Sequence, residues 1–149
     1  MKTNKLFLTA ILTASAVFAA PVTYEAENAT LSGGATASGS YVQMKEGDIT
    51  FSNINIASAG AYTLTIHYKN GYGSPKTNDI SVNGSKAGSL EFPESNSFTD
   101  VSTAINLTAG VNSIANNKNW GWIDVDYITI SEYEAKAFNI CNAPTTKDA

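Results

Sequence analysis

Short apolar segments in alternation, punctuated by turn residues, run along most of this chain and restrict it to a β architecture. Tyr62, Leu64, Ile66 and Tyr68 point one way while Thr63, Thr65 and His67 point the other. A period of two buries one face of a strand and wets the other. The same texture marks Val22–Ala26, Tyr41–Lys45, the Ile49, Phe51, Ile54, Ile56 set, and Ile80 with Val82. Leu90 with Phe92, then Val101, Ile105 and Leu107, then Val111–Ala115 and Trp122–Ile130 complete it. Asn83-Gly84 between two such runs is a hairpin signal, because both residues accept a positive φ. Strands recurring about every ten residues predict an all-β antiparallel sandwich of the jelly-roll type. No helical period appears before Glu132.

The N-terminus reads differently. Lys2 and Lys5 precede the apolar run from Leu6 to Ala20, and Val17-Phe18-Ala19 supplies the residues of a cleavage site. Residues 1–19 are expected to be a signal peptide, cut after Ala19 because Pro21 is a poor first residue. The run is too short for a membrane span. The mature product is thus expected to be secreted, with no membrane partner. Losing Lys2 and Lys5 takes the formal charge from −4 to −6. The chain has no arginine, which disfavours nucleic acid and anionic lipid and favours a neutral ligand. Cys141 is the single cysteine, so no internal disulfide is possible. Residues 20–131 suit one domain, acting as a monomer. Residues 132–149 read as a linker or the start of a further, catalytic domain.

The residues that carry chemistry gather in two places. Asn119–Ile130 holds both tryptophans, Trp120 and Trp122, with Asp124 and Asp126. In a regular strand these four share a face. Indole rings stack on the apolar faces of pyranoses, and neighbouring polar groups fix the hydroxyls. The competing reading is that the tryptophans are core, more readily for one than for both. Gly121 permits a bend that sends Trp120 into a loop and Trp122 toward the sheet. Glu25 and Glu27, two apart, project to one face of a strand, and such like charges repel unless a cation lies between them. Asp126 completes that cluster if the first and last strands are neighbours. Hard oxygen ligands of this kind suit Ca²⁺; an exposed acidic strand end is the alternative. The polar loop Tyr68–Asn78 adds a ring, a cation and an amide in Tyr72, Lys76 and Asn78. His67 is the only histidine. It reads as a surface or half-buried strand residue, which leaves a Ser-His-Asp or Cys-His machine without support.

These residues resemble the carbohydrate-binding modules of family 35, related to family 6. The likeness runs in order through Tyr24-Glu25-Ala26-Glu27, Ser38-Gly39-Ser40-Tyr41-Val42, Ala59-Gly60-Ala61-Tyr62-Thr63-Leu64, Tyr68-Lys69-Asn70-Gly71 and Val82-Asn83-Gly84. Leu107-Thr108-Ala109-Gly110-Val111-Asn112-Ser113-Ile114 and Trp122-Ile123-Asp124-Val125-Asp126-Tyr127-Ile128 close it. The resemblance implies a jelly roll that does not itself catalyse. It implies a structural Ca²⁺ on Glu25, Glu27 and Asp126, with backbone oxygens of residues 45–48 as additions. It implies a ligand site in the loops at one end, on Tyr41, Tyr72, Lys76, Asn78, Trp120 and Asp124. The Asn70–Lys76 loop and Trp120-Gly121-Trp122 look most like mannan-binding members. The tail Asn142–Ala149 is similar to the entry of a glycoside hydrolase family 26 mannanase. The expected function is binding of plant polysaccharide, β-mannan or galactomannan first, to target an attached hydrolase. The alternatives are a module for xylan, uronic acid or galactose-containing glycans, a cell-surface adhesion module, and a small glycosidase using the acidic pairs.

Overall fold

The computed structural model describes residues 19–133. The expected leader up to residue 18, the tail from residue 134 and Cys141 lie outside them. Strands β1 (Val22–Glu25), β2 (Thr30–Ser32), β3 (Thr36–Ser38), β4 (Tyr41–Gln43), β5 (Asp48–Ile56) and β6 (Gly60–Asn70) come first. They are followed by β7 (Lys76–Val82), β8 (Ser85–Phe92), β9 (Ser95–Leu107), β10 (Gly110–Trp120) and β11 (Asp124–Glu132). One sheet has the order β3-β4-β11-β6-β9, with β1 also paired to β11; the other has the order β2-β5-β10-β7-β8. All pairings are antiparallel. The two sheets form the expected jelly-roll sandwich.

The core lies between the sheets, where alternation placed it. Leu64, Ile66 and Tyr68 of β6 and Val125, Ile128 and Ile130 of β11 are buried. They meet Ile49, Phe51, Ile54, Ile80, Phe92 and Ile114 of the facing sheet. The Tyr68 and Phe92 rings pack edge to face with centroids 5.0 Å apart, and the Tyr68 hydroxyl donates to the Pro93 carbonyl at 3.0 Å. Asn83 (φ 50°) and Gly84 (φ 79°) join β7 to β8, giving the two positive φ values a primed hairpin turn needs.

Three expectations are corrected. β1 ends at Glu25, and residues Ala26–Asn28 form a 3-10 turn, so Glu25 and Glu27 do not alternate along one strand. Residues 119–130 are not one strand: β10 ends at Trp120 in one sheet and β11 begins at Asp124 in the other. The Trp-Gly-Trp segment is therefore the crossover between sheets, and its residues share no strand face. Glu132 belongs to β11, opposite Tyr62, rather than to a linker.

Outside the core, polar ties hold the sheet containing β7. The Asp79 carboxylate pairs with Lys86 at 2.8 Å and accepts from Ser89 at 2.7 Å and Asn119 at 3.0 Å. These donors, led by Lys86, hold its carboxyl down at about 2. A depressed carboxyl contributes stability above its ordinary pKa and loses it as pH falls through the depressed one. The Asp79 side chain should thus titrate near pH 2 by NMR; a midpoint near 3.8 would show that these contacts are not made in solution.

Candidate carbohydrate-binding site

Asp124 is the first residue of β11 and sits in register with Gln43 of β4 on one side and Lys69 of β6 on the other. The next row, Val125 with Val42 and Tyr68, is core. Side chains alternate across a sheet, so Gln43, Asp124 and Lys69 share its outer face at one end. Asp124 is nonetheless only 3% exposed, because its neighbours close over it. Tyr72 donates its hydroxyl to Oδ1 at 3.1 Å, and the Lys69 ammonium lies 3.2 Å from Oδ2. Burial, then the Asp124 charge and hydrogen bond, push the Tyr72 phenol above its ordinary 10.0. The phenol is therefore a donor through neutral and mildly alkaline pH. The contribution of its contact is present below pH 10 and lost as pH rises through the raised pKa.

These groups line a cleft of about 320 Å³ with Tyr41, Gly71 and Asn96. The Lys69 ammonium stands 5.4 Å from the ring centres of both Tyr41 and Phe98, a cation–π arrangement. Beyond it the outer face continues through aromatic packing. His67 stacks between Phe98 (5.5 Å) and Tyr127 (4.6 Å) and bonds Asp100 at 2.6 Å. It is the half-buried strand histidine expected from the sequence.

The loop that roofs the cleft is tied from below. Asn70 is fully buried; its amide donates to the Ser74 and Phe92 carbonyls at 2.8 and 3.0 Å and its oxygen accepts from the Tyr72 N–H at 3.3 Å. Lys76 donates to the Ser74 hydroxyl at 2.7 Å and the Tyr72 carbonyl at 3.3 Å. Its aliphatic stem lies against Gly121 so closely that a Cβ there would stand 2.1 Å from Lys76 Cδ. With φ at 92°, position 121 admits only glycine on both counts.

The six expected ligand residues therefore divide. Tyr41, Tyr72 and Asp124 meet in the cleft. Lys76 and Asn78 are 8% and 0% exposed and lie beneath it. Asn78 holds the Asn119 N–H at 3.3 Å and donates to Met44 Sδ at 3.5 Å. They shape the site rather than present atoms to a ligand. Trp120 ends β10 at 69% exposure, outside the cleft lining. Trp122, expected to turn toward the sheet, is 41% exposed. Its ring meets Tyr72 edge to face at 6.0 Å. Neither tryptophan is core. Gln43, Lys69 and Asn96, which line the cleft, were not singled out as ligand residues from the sequence. Only strand register and loop packing bring them together, though Lys69 and Gln43, polar among buried neighbours, carried a trace of it.

The expected metal ligands stand elsewhere. β1 pairs with β11 so that Glu25 faces Tyr127. Asp126 is the extra residue of a β-bulge between Val125 and Tyr127 on the β6 side, a device that re-aims a side chain. The 3-10 turn carrying Glu27 packs on β11 and β4. Among the described residues no three His, Cys, Asp or Glu groups converge as a ready metal cluster. Yet Glu27 Oε2 is buried with no hydrogen-bond partner. A buried carboxylate oxygen is costly without a donor or cation, so the residues present fit a cation at this point.

The profile of the carbohydrate-binding modules of family 35 matches residues 22–133. The chain belongs to this family. Family 35 modules are non-catalytic binding domains. The chain is 35% identical over 144 residues to mannan endo-1,4-beta-mannosidase B of Piromyces sp., covering 89% of this chain and 25% of that enzyme. It is also similar to the GH26-CBM35 beta-(1,4)-mannanase of Podospora anserina, with TM-score 0.62 and 35% identity over 76% of this chain and 28% of that one. A native family 35 module from Clostridium thermocellum aligns with TM-score 0.65 and 28% identity, over 77% of this chain and 100% of that one. The chain thus spans about a quarter of the two mannanases it matches.

Proposed function

We propose that this family 35 module binds β-mannan in the cleft between Tyr41, Tyr72 and Asp124, and holds an attached glycoside hydrolase against the polysaccharide. The observation that carries it is the 35% identity to about a quarter of each of two mannanases, joined to a cleft whose chemistry suits a neutral sugar. The Lys69 charge is met by Asp124, so the cleft has no uncompensated cation for a uronate. The amides of Gln43 and Asn96 offer donors and acceptors to hydroxyls. Tyr41 and Tyr72 supply apolar faces. A shallow site of one or two rings gives a Kd of about 10⁻⁵ to 10⁻³ M. Tethering turns such weak binding into a high local concentration of enzyme. Secretion by the N-terminal leader belongs to the same proposal, as does a structural Ca²⁺ held by Glu25, Glu27 and Asp126.

Calorimetry on the secreted chain with mannopentaose, xylopentaose and glucuronic acid tests it. Mannopentaose should give a Kd in that range and the other two at least tenfold weaker binding. Heat from xylopentaose or glucuronic acid with none from mannopentaose would reject mannan as the ligand.

A further inference from the structure

We propose that Glu46 is a positioning residue of the cleft: it fixes the Trp122 indole, which stands outside the cleft lining but backs the Tyr72 ring that forms part of it, before sugar arrives. The inference rests on the proposed reading of the cleft.

Trp122 lies in the short crossover between β10 and β11 and has no core around it. Two contacts orient its ring. One is the edge-to-face meeting with Tyr72, interplanar angle 83°. The other is the indole N–H, which donates to Glu46 Oε1 at 2.9 Å. The second oxygen of Glu46 pairs with Lys118, so the carboxylate is clamped between two donors on β10 and the crossover. These hydrogen bonds, from Lys118 first and Trp122 next, draw the Glu46 carboxyl below its ordinary range. It is therefore ionised at neutral pH.

The turn that carries Glu46 is fixed in place. The Gly47 N–H donates to the Met44 carbonyl at 2.8 Å, and the Met44 N–H donates to the Ile123 carbonyl at 3.0 Å. That second bond ties the Glu46 turn to the residue next to Trp122. A Cβ at Gly47 would lie 1.9 Å from the Ser32 carbonyl oxygen and 2.3 Å from the Ala35 nitrogen, so the turn is wedged against residues 32–35. Exposed ion pairs contribute little to stability. A carboxylate held this firmly at an exposed position acts on geometry instead. From Glu46 the contacts pass through Trp122 and Tyr72 to Asp124 and Lys69. A ring already held does not have to be ordered when the ligand binds.

The test compares Glu46→Ala, Glu46→Gln and Trp122→Ala in the full secreted chain. Affinity for mannopentaose, melting temperature and exchange of the Trp122 indole N–H by NMR are measured. Glu46→Ala should weaken binding about three- to tenfold, with the melting temperature nearly unchanged and the indole proton exchanging faster. Glu46→Gln keeps an oxygen that accepts the indole N–H and should bind within about twofold of the wild type. Trp122→Ala should lose more than either. Wild-type affinity and indole exchange in Glu46→Ala, beside weakened Trp122→Ala, would overturn the role of Glu46 and leave the cleft reading intact. Wild-type affinity in Trp122→Ala would likewise overturn the role of Glu46, while the cleft reading stands or falls with Asp124→Ala. If the chain binds another of the sugars tested instead, mannan fails as the ligand and the same variants are read on that sugar.

Discussion

Asp124→Ala should abolish measurable binding of mannopentaose, a loss of at least thirtyfold, and lower stability at the same time. The carboxylate is 3% exposed and accepts from Tyr72 while pairing with Lys69. Truncation removes the group toward which both donors converge. Removing one partner of a fully buried ion pair costs about 3–5 kcal/mol. The Lys69 side chain is 31% exposed, so water screens what is left behind and the expected cost falls to about 2 kcal/mol. Thermal denaturation should show a fall of about 8 °C for a domain of this size. Asp124→Asn keeps the volume and one acceptor but loses the charge that holds Lys69. It should fold with a smaller loss and still bind about tenfold more weakly. Calorimetry and melting curves on the two variants separate site from scaffold. Wild-type affinity in Asp124→Ala would remove this residue from the site, and with it the reading of Tyr72 and Lys69 as its cleft partners.

The expected losses fall on residues that the sequence revealed unevenly. The alternation in Tyr62–Tyr68 was enough to place Leu64, Ile66 and Tyr68 in the core, because a half-buried strand can satisfy a period of two in one way. Asn83-Gly84 was equally legible, since its φ values are local. Trp120-Gly121-Trp122 was not. A regular strand puts both rings on one face, but the register breaks between Lys118 and Trp120 on the β7 side, and Gly121 at φ 92° turns the chain into the other sheet. Lys76 and Asn78 looked like ligand contacts because polar residues in a glycine-rich loop are normally wet. Lys76 instead lays its stem beneath Gly121 and spends its ammonium on Ser74 and Tyr72. The partnership of Gln43, Lys69 and Asp124 depends on which strands neighbour β11. That is long-range pairing, and no local pattern contains it. The outer rim set by Glu46 is hidden for the same reason: Glu46 and Trp122 are 76 residues apart in the chain.

Chelation of calcium should lower the melting temperature by about 10 °C, and Glu27→Gln should abolish that response. Glu27 sits in the 3-10 turn that follows β1, packed on β11 and β4, with Oε2 buried and unpartnered. Asp126 is offered from the bulge of β11, and Glu25 ends the strand beside it. The three carboxylates do not converge as the chain stands; a divalent cation at Glu27 would draw them in and turn their mutual repulsion into binding energy. A cation that binds only the folded state stabilises it by about 2.7 kcal/mol at a hundredfold excess over its Kd, roughly 10 °C here. Glu27→Gln removes a ligand charge, so the variant should melt near the chelated wild type and be indifferent to added Ca²⁺. Asp126→Asn should behave alike. A melting temperature unmoved by chelator, with Glu27→Gln as stable as the wild type or more so, would sink the cation. The buried oxygen would then be a plain desolvation cost carried by the fold. The two outcomes also differ at the cleft. β11 and β4 carry Asp124 and Gln43, so loosening the 3-10 turn under them should weaken mannopentaose binding in the chelated protein even below its melting range. A chelator without effect on stability should leave that affinity unchanged.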